Sequence, residues 1–162
     1  MKRLTLIRHG KSSWSHGVDD HQRPLKPRAL EDADLVIQAF RSHLQNRTPV
    51  LWTSSARRAL DSARMFKDQL EISSENFAIL EELYTFDSQA LKRVILSCGD
   101  QIEDLIIFGH NPAITDLSEE LGSRSFENVP TTGLVAMEFE TTKWQEISNG
   151  KTVQYLFPKN LR

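Results

Sequence analysis

The stretch Leu4-Thr5-Leu6-Ile7-Arg8-His9-Gly10-Lys11-Ser12-Ser13-Trp14 changes character within a single residue. Leu4 to Ile7 is apolar and reads as a short strand, which Arg8 and His9 then end. Gly10 allows a tight turn and a close backbone approach at that point. A strand running straight into basic residues is the arrangement of an open α/β sheet, where ligands bind beyond the carboxyl ends of the strands. The basic start, Met1-Lys2-Arg3, followed by apolar residues has the order of a secretion signal. The apolar part is far too short for one, so a first strand and a cytoplasmic location are expected.

Working outward, the remaining chain alternates between helical and extended periodicity. Leu30, Ala33, Val36, Ile37, Phe40 and Leu44 recur at helical spacing and predict a helix from about Pro27 to Leu44. Val50-Leu51-Trp52 predicts a strand, and Ala59, Ala63, Phe66 and Leu70 share one face of a helix over Ala56 to Leu70. A short edge strand at Phe77–Leu80 and a helix at Gln89–Ser97 follow. Leu105-Ile106-Ile107-Phe108 is continuously apolar, the mark of a strand covered on both faces. Pro112 suits a helix start, with Asn111 as its N-cap. Leu134–Phe139 alternates and is expected to pair with Val153–Phe157 around the turn residues Ser148-Asn149-Gly150. The expected fold class is therefore α/β: a three-layer α/β/α sandwich with a mostly parallel central sheet and an antiparallel edge, forming a single domain over residues 1–162.

Bulk properties narrow the function. With 39% apolar and 26% charged residues and a net charge of -2, the chain is ordinary for a globular protein. That charge argues against general nucleic-acid binding, and no apolar run approaches membrane-spanning length. The single Cys98 excludes an internal disulfide framework. His16, His21 and His43 have no spacing that suggests a metal site, and there is no Walker loop or HExxH pattern. Neither a metal nor a cofactor is expected.

Three basic clusters share one address. Arg8-His9 follows the first strand, Arg57-Arg58 follows Val50–Trp52, and His110 follows Leu105–Phe108. Strand ends and helix N-termini together favour an anion, above all phosphate. Arginine forks grip phosphate in bidentate fashion, and neighbouring arginines keep an imidazole neutral and nucleophilic. His9 is thus the candidate nucleophile, Arg8 and one of the two arginines at 57 and 58 the phosphate clamp, and His110 a second histidine donating to the transferring oxygens.

These residues resemble the histidine phosphatase, or phosphoglycerate-mutase-like, superfamily, and in particular its SixA-type phosphohistidine phosphatases. Arg8 to Trp14 is similar to an RHxKSSW-like start. His21 to Leu25 loosely matches a DRPL-like loop, and Ser54 to Ala59 an SxxxRA stretch. Gly109-His110-Asn111-Pro112 is a GHNP turn. Pro130-Thr131-Thr132-Gly133 and Pro158-Lys159-Asn160-Leu161 match the later segments. The resemblance implies a phosphoglycerate-mutase-like fold and a phosphohistidine intermediate on His9, with Arg8, Arg58 (rather than Arg57) and His110 holding the phosphoryl group. Gly10, Lys11, Arg23, Asn111 and Thr131 are expected around the substrate. Two positions depart from the pattern: Gln22 replaces the usual Asp, with Asp19 and Asp20 close by, and Ala29 replaces a Gly.

The proton donor stays open between Glu81, Glu82 and no acid, with Glu81 favoured by the resemblance. The short segments between strands leave no length for a lid, which fits a phosphohistidine-bearing partner protein as substrate. A small phosphomonoester or acyl phosphate is the alternative, and a non-catalytic phosphate-binding module a third reading.

Overall fold

A computed structural model describes residues 1–162. Six strands form one sheet: β1 (Lys2–Arg8), β2 (Val50–Ser54), β3 (Phe77–Leu80), β4 (Asp104–Gly109), β5 (Leu134–Phe139) and β6 (Lys151–Leu156). Their order across the sheet is β3-β2-β4-β1-β5-β6. The first four are mutually parallel, while β5 runs antiparallel to both β1 and β6. Four helices cover it: α1 (Arg28–Leu44), α2 (Arg57–Gln69), α3 (Ser88–Leu96) and α4 (Ala113–Leu121). The expected layered architecture is what the chain adopts.

Side-chain alternation along the strands builds a separate core on each face. Ile7, Leu51, Ile106 and Phe108 pack with Val36, Ile37 and Phe40 of α1 and Ala63 and Phe66 of α2. Leu4, Leu6, Leu105 and Ile107 pack on the other face with Leu91 and Ile95 of α3 and Ile114, Leu117 and Leu121 of α4. Every residue of β4 is buried, as its apolar run requires. Each such large side chain removed from water contributes roughly 1.5–3 kcal/mol. The chain moves outward through β1, β2 and β3 with α1 and α2 on one face, then returns through β4 with α3 and α4 on the other. Right-handed crossovers demand that change of face when the direction reverses. The reversal places β4 between β2 and β1, so His9 and His110, distant in sequence, leave adjacent strands.

Two expectations shift. Pro112 stands ahead of the first bonded turn of α4 instead of inside it, and Asn111 is not the N-cap. Asn111 Oδ1 nevertheless accepts the Thr115 amide at 3.1 Å, because its side chain reaches past the proline into the first turn. The β5–β6 connection is not a tight hairpin at Ser148–Gly150. It is an excursion over 140–150 whose Trp144 is fully buried under α3, with Nε1 donating to the Ile102 carbonyl at 2.7 Å. That buried indole stabilises the longer path. Cys98 is buried beside the same core, and burial pushes its thiol up to about 11. No helix is long and apolar enough to cross a membrane.

Candidate active site

The carboxyl ends of β1, β2 and β4 open into a cavity of about 330 Å³. Its lining includes Arg8, His9, Lys11, Arg58 and His110. Two backbone features hold the β1 end. The His9 amide donates to the Gly109 carbonyl, and the Thr132 amide donates to the carbonyls of Arg8 and His9. Gly10 is required by packing: a Cβ there would lie 2.9 Å from the Ala29 Cβ of α1 and 3.2 Å from Leu25 Cδ2. Gly10→Ala is therefore expected to push α1 off the turn, at a cost of about 1–3 kcal/mol. Thermal unfolding checks this, and an unchanged Tm would contradict it. The Gly10 amide donates to Ser62 Oγ at 2.8 Å, so it is spent on α2 and not aimed at a ligand.

His9 is 7% exposed. Its Nδ1 lies 2.7 Å from the Gly10 carbonyl oxygen, which can only accept, so Nδ1 carries the proton and Nε2 keeps its lone pair. Arg58 Nε donates toward that same Nε2 at 3.3 Å, which assigns the tautomer independently. Burial, opposed by the Gly10 hydrogen bond and reinforced by His110, Arg58 and Arg8, lowers the His9 pKa to about 3. His110, 5.2 Å away between ring centroids, is lowered to about 3 chiefly by burial and then by Arg58. Both rings are neutral at neutral pH. His110 Nε2 is 2.8 Å from Ser54 Oγ, a hydroxyl able to donate or accept. Its Nδ1 is only weakly engaged, 3.4 Å from Arg58 Nη2. Arg58 Nη2 can only donate, so in the free pocket Nδ1 is the accepting nitrogen and Nε2 carries the proton toward Ser54 Oγ.

Arg58 is 2% exposed and Arg57 points outward to Asp61, a consequence of the 100° step between successive helical residues. Arg8 Nη1 donates to the Val129 carbonyl while its buried Nε has no partner. That unsatisfied donor, like the exposed Lys11 ammonium, is available for an anion. Arg23 lines the cavity but is itself buried, donating to Ser12 Oγ, the Ser13 carbonyl and Asp20 Oδ1. Thr131 also lines the cavity. Asn111 does too, yet its side chain is fully committed: Nδ2 donates to Asn128 and Val129, and Oδ1 accepts from Thr115.

Glu81 and Glu82 stand apart. Both are exposed in a short helical turn after β3 and neither lines the cavity. The same turn sends Tyr84 inward. The cavity carboxylate is Asp20, which sequence reasoning noted only as a neighbour of Gln22. Asp20 Oδ2 accepts from Arg58 Nη2 at 2.9 Å and from the Tyr84 hydroxyl at 2.5 Å, and Oδ1 accepts from Arg23. Burial raises its pKa, but the bonds from Tyr84, Arg58 and Arg23 outweigh this and hold the carboxyl well below the usual range. Its spacing of three residues before Arg23 was the only signal available in the sequence.

The model of the histidine phosphatase superfamily (branch 1) matches residues 4–97. An uncharacterised protein of Mycobacterium tuberculosis is 27% identical over 154 residues, covering 89% of this chain and 93% of that one. Among solved structures, the protein histidine phosphatase SixA complexed with tungstate superposes with a TM-score of 0.81. It is 17% identical and covers 99% of each chain. A protein of Agrobacterium tumefaciens proposed to be phosphohistidine phosphatase SixA gives a TM-score of 0.78. It is 18% identical, covering 96% of this chain and 97% of that one.

Proposed function

Because the chain belongs to the histidine phosphatase superfamily (branch 1), we propose that it is a phosphatase working through His9, and that its substrate is phosphohistidine on a partner protein. One observation carries the reading: the neutral His9 ring, its unprotonated Nε2 held only by a long 3.3 Å bond from Arg58, at a cavity that also presents Arg8, Lys11 and His110. The tungstate held by the SixA phosphatase of the same fold is a tetrahedral oxyanion, which supports phosphate as the ligand class.

In the first step Nε2 attacks phosphorus and the bond from phosphorus to the substrate nitrogen breaks. The departing imidazole nitrogen takes its proton from solvent. The Nδ1 proton on the Gly10 carbonyl stabilises the positive ring that forms on His9. Arg8 and Arg58 neutralise the equatorial oxygens, which is most of what phosphoryl transfer needs. Water then attacks phosphorus, the bond to Nε2 breaks, and inorganic phosphate leaves. Neither glutamate lines the cavity, and Asp20 is ionised, so no carboxylic acid stands ready to protonate an ester oxygen. A labile P–N bond fits that site better than a phosphomonoester does. The test is turnover of a phosphohistidine protein beside a panel of small phosphoesters; faster ester hydrolysis would reverse the substrate assignment.

Asp20 also sets a threshold for anions, since it already neutralises Arg58 and Arg23 in the free pocket. Replacing it with Asn removes about one negative charge near the phosphoryl position. Coulomb energy over several ångströms then predicts roughly threefold to tenfold tighter inhibition by orthovanadate. Weaker inhibition would mean that Asp20 acts mainly by orienting Arg58.

A further inference from the structure

The mouth of the cavity carries two apolar side chains, and both are aromatic. Trp14 is 77% exposed and Phe86 is 49% exposed. Large exposed aromatics beside a charged pocket invite a recognition role. Trp14 is backed by Arg23, whose guanidinium carbon lies 3.3 Å from the ring centroid. That guanidinium is immobilised from below by Ser12, Ser13 and Asp20. The indole therefore rests with one face on a fixed cation and the other on solvent. Phe86 stands edge-on to both Tyr84 and His110, at 5.9 and 5.5 Å between centroids. The His110 side of the mouth is thus aromatic as well.

From this arrangement we infer that Trp14 and Phe86 form a recognition site for the flat group that carries the phosphoryl, the imidazole ring of phosphohistidine. The inference rests on the phosphatase reading above and adds which residues select the leaving group. A cavity of about 330 Å³ is near the small end of ligand sites. With its floor taken by the phosphoryl group and its cations, what remains at the mouth is bordered by aromatic rings. A planar ring gains from stacking there, whereas a small acyl group cannot cover either face. The uncovered indole face also extends the site outward, toward the chain segment bearing the histidine.

The experiment compares kcat/KM for phosphoimidazole and for acetyl phosphate in the parent, Trp14→Ala, Trp14→Phe and Phe86→Ala proteins. Loss of one stacking partner is expected to lower the phosphoimidazole-to-acetyl-phosphate ratio about fivefold to tenfold. Trp14→Phe is expected to restore most of the ratio. Calorimetric binding of phosphoimidazole to His9→Asn, with and without Trp14→Ala, gives a readout independent of turnover and is expected to show the same loss. An unchanged ratio in both alanine variants, or equal losses on both substrates, overturns the aromatic recognition site while leaving the phosphatase reading intact. A parent protein that turns over neither compound overturns the phosphatase reading instead. In that case an unaltered affinity in the His9→Asn pair overturns the recognition site too.

Discussion

His9→Ala is expected to abolish turnover, lowering kcat on the order of 10⁴-fold or more, since removal of a covalent nucleophile leaves only positioning and charge. The parent protein, quenched during turnover, is expected to carry acid-labile, base-stable phosphate on His9, and the variant none. A His9→Ala protein that hydrolyses as well as the parent would remove the nucleophile assignment and revive a binding module. The pH dependence follows from the same burial. With the ring's pKa lowered from 6.5 to about 3, Nε2 remains unprotonated through mildly acidic conditions. Phosphoenzyme formation, followed in a single turnover, is expected to persist below pH 6, where an ordinary histidine would be protonated. Stability runs with the opposite cost. The unfolded ring binds a proton below 6.5 and the folded ring does not until about 3, so the folded state weakens as pH falls through that window. The depressed Asp20 carboxyl acts in the same direction below the usual carboxylate range. Urea midpoints that stay level from pH 7 to pH 4 would contradict this account.

The second large effect belongs to Arg58. Its guanidinium touches His9, His110 and Asp20 at once, so one side chain organises the nucleophile, the second histidine and the counter-charge. Arg58→Ala is expected to lower kcat about 10³-fold, the range seen when a single preorganised cation or donor is lost from a phosphoryl or oxyanion site. Arg58→Lys is expected to recover little, because an ammonium cannot reach His9 and a phosphoryl oxygen in the same fork. Arg57→Ala serves as the internal control: half-exposed and paired only with Asp61, it should change kcat less than about twofold. Steady-state kinetics on variants with confirmed thermal unfolding transitions decide the matter. A loss below tenfold for Arg58→Ala would shift the phosphate clamp to Arg8 and Lys11.

How much of this was legible beforehand differs by residue. His9 and His110 could be found because each directly follows an apolar strand, and strand ends point to one edge of a parallel sheet. Arg58 was separable from Arg57 by motif, and helical phase supplies the physical reason. Asp20 and Tyr84 were not found as site residues, since each sits in a loop and is defined by partners dozens of positions away. Tyr84 reaches Asp20 across 64 positions of sequence. Glu81 and Glu82 had the proper neighbourhood but sit on the outer side of their turn. Asn111, expected at the substrate, proves to be committed to α4 and the segment at 128–129.

Arg8-His9-Gly10 is where both kinds of information meet. That an apolar strand stops at a basic turn can be read from the residues alone, because hydrophobic periodicity and glycine's freedom are local properties. So can the α/β class, through the alternation of helical and extended patterns. The entry of β4 between β1 and β2, which brings the His110 ring to 5.2 Å from that of His9, emerges only from the folded chain. The same packing placed Asp20 on Arg58 and laid Trp14 over Arg23. Strand order and loop contacts are pairings between distant segments, chosen by the burial and hydrogen-bond satisfaction of the whole chain at once.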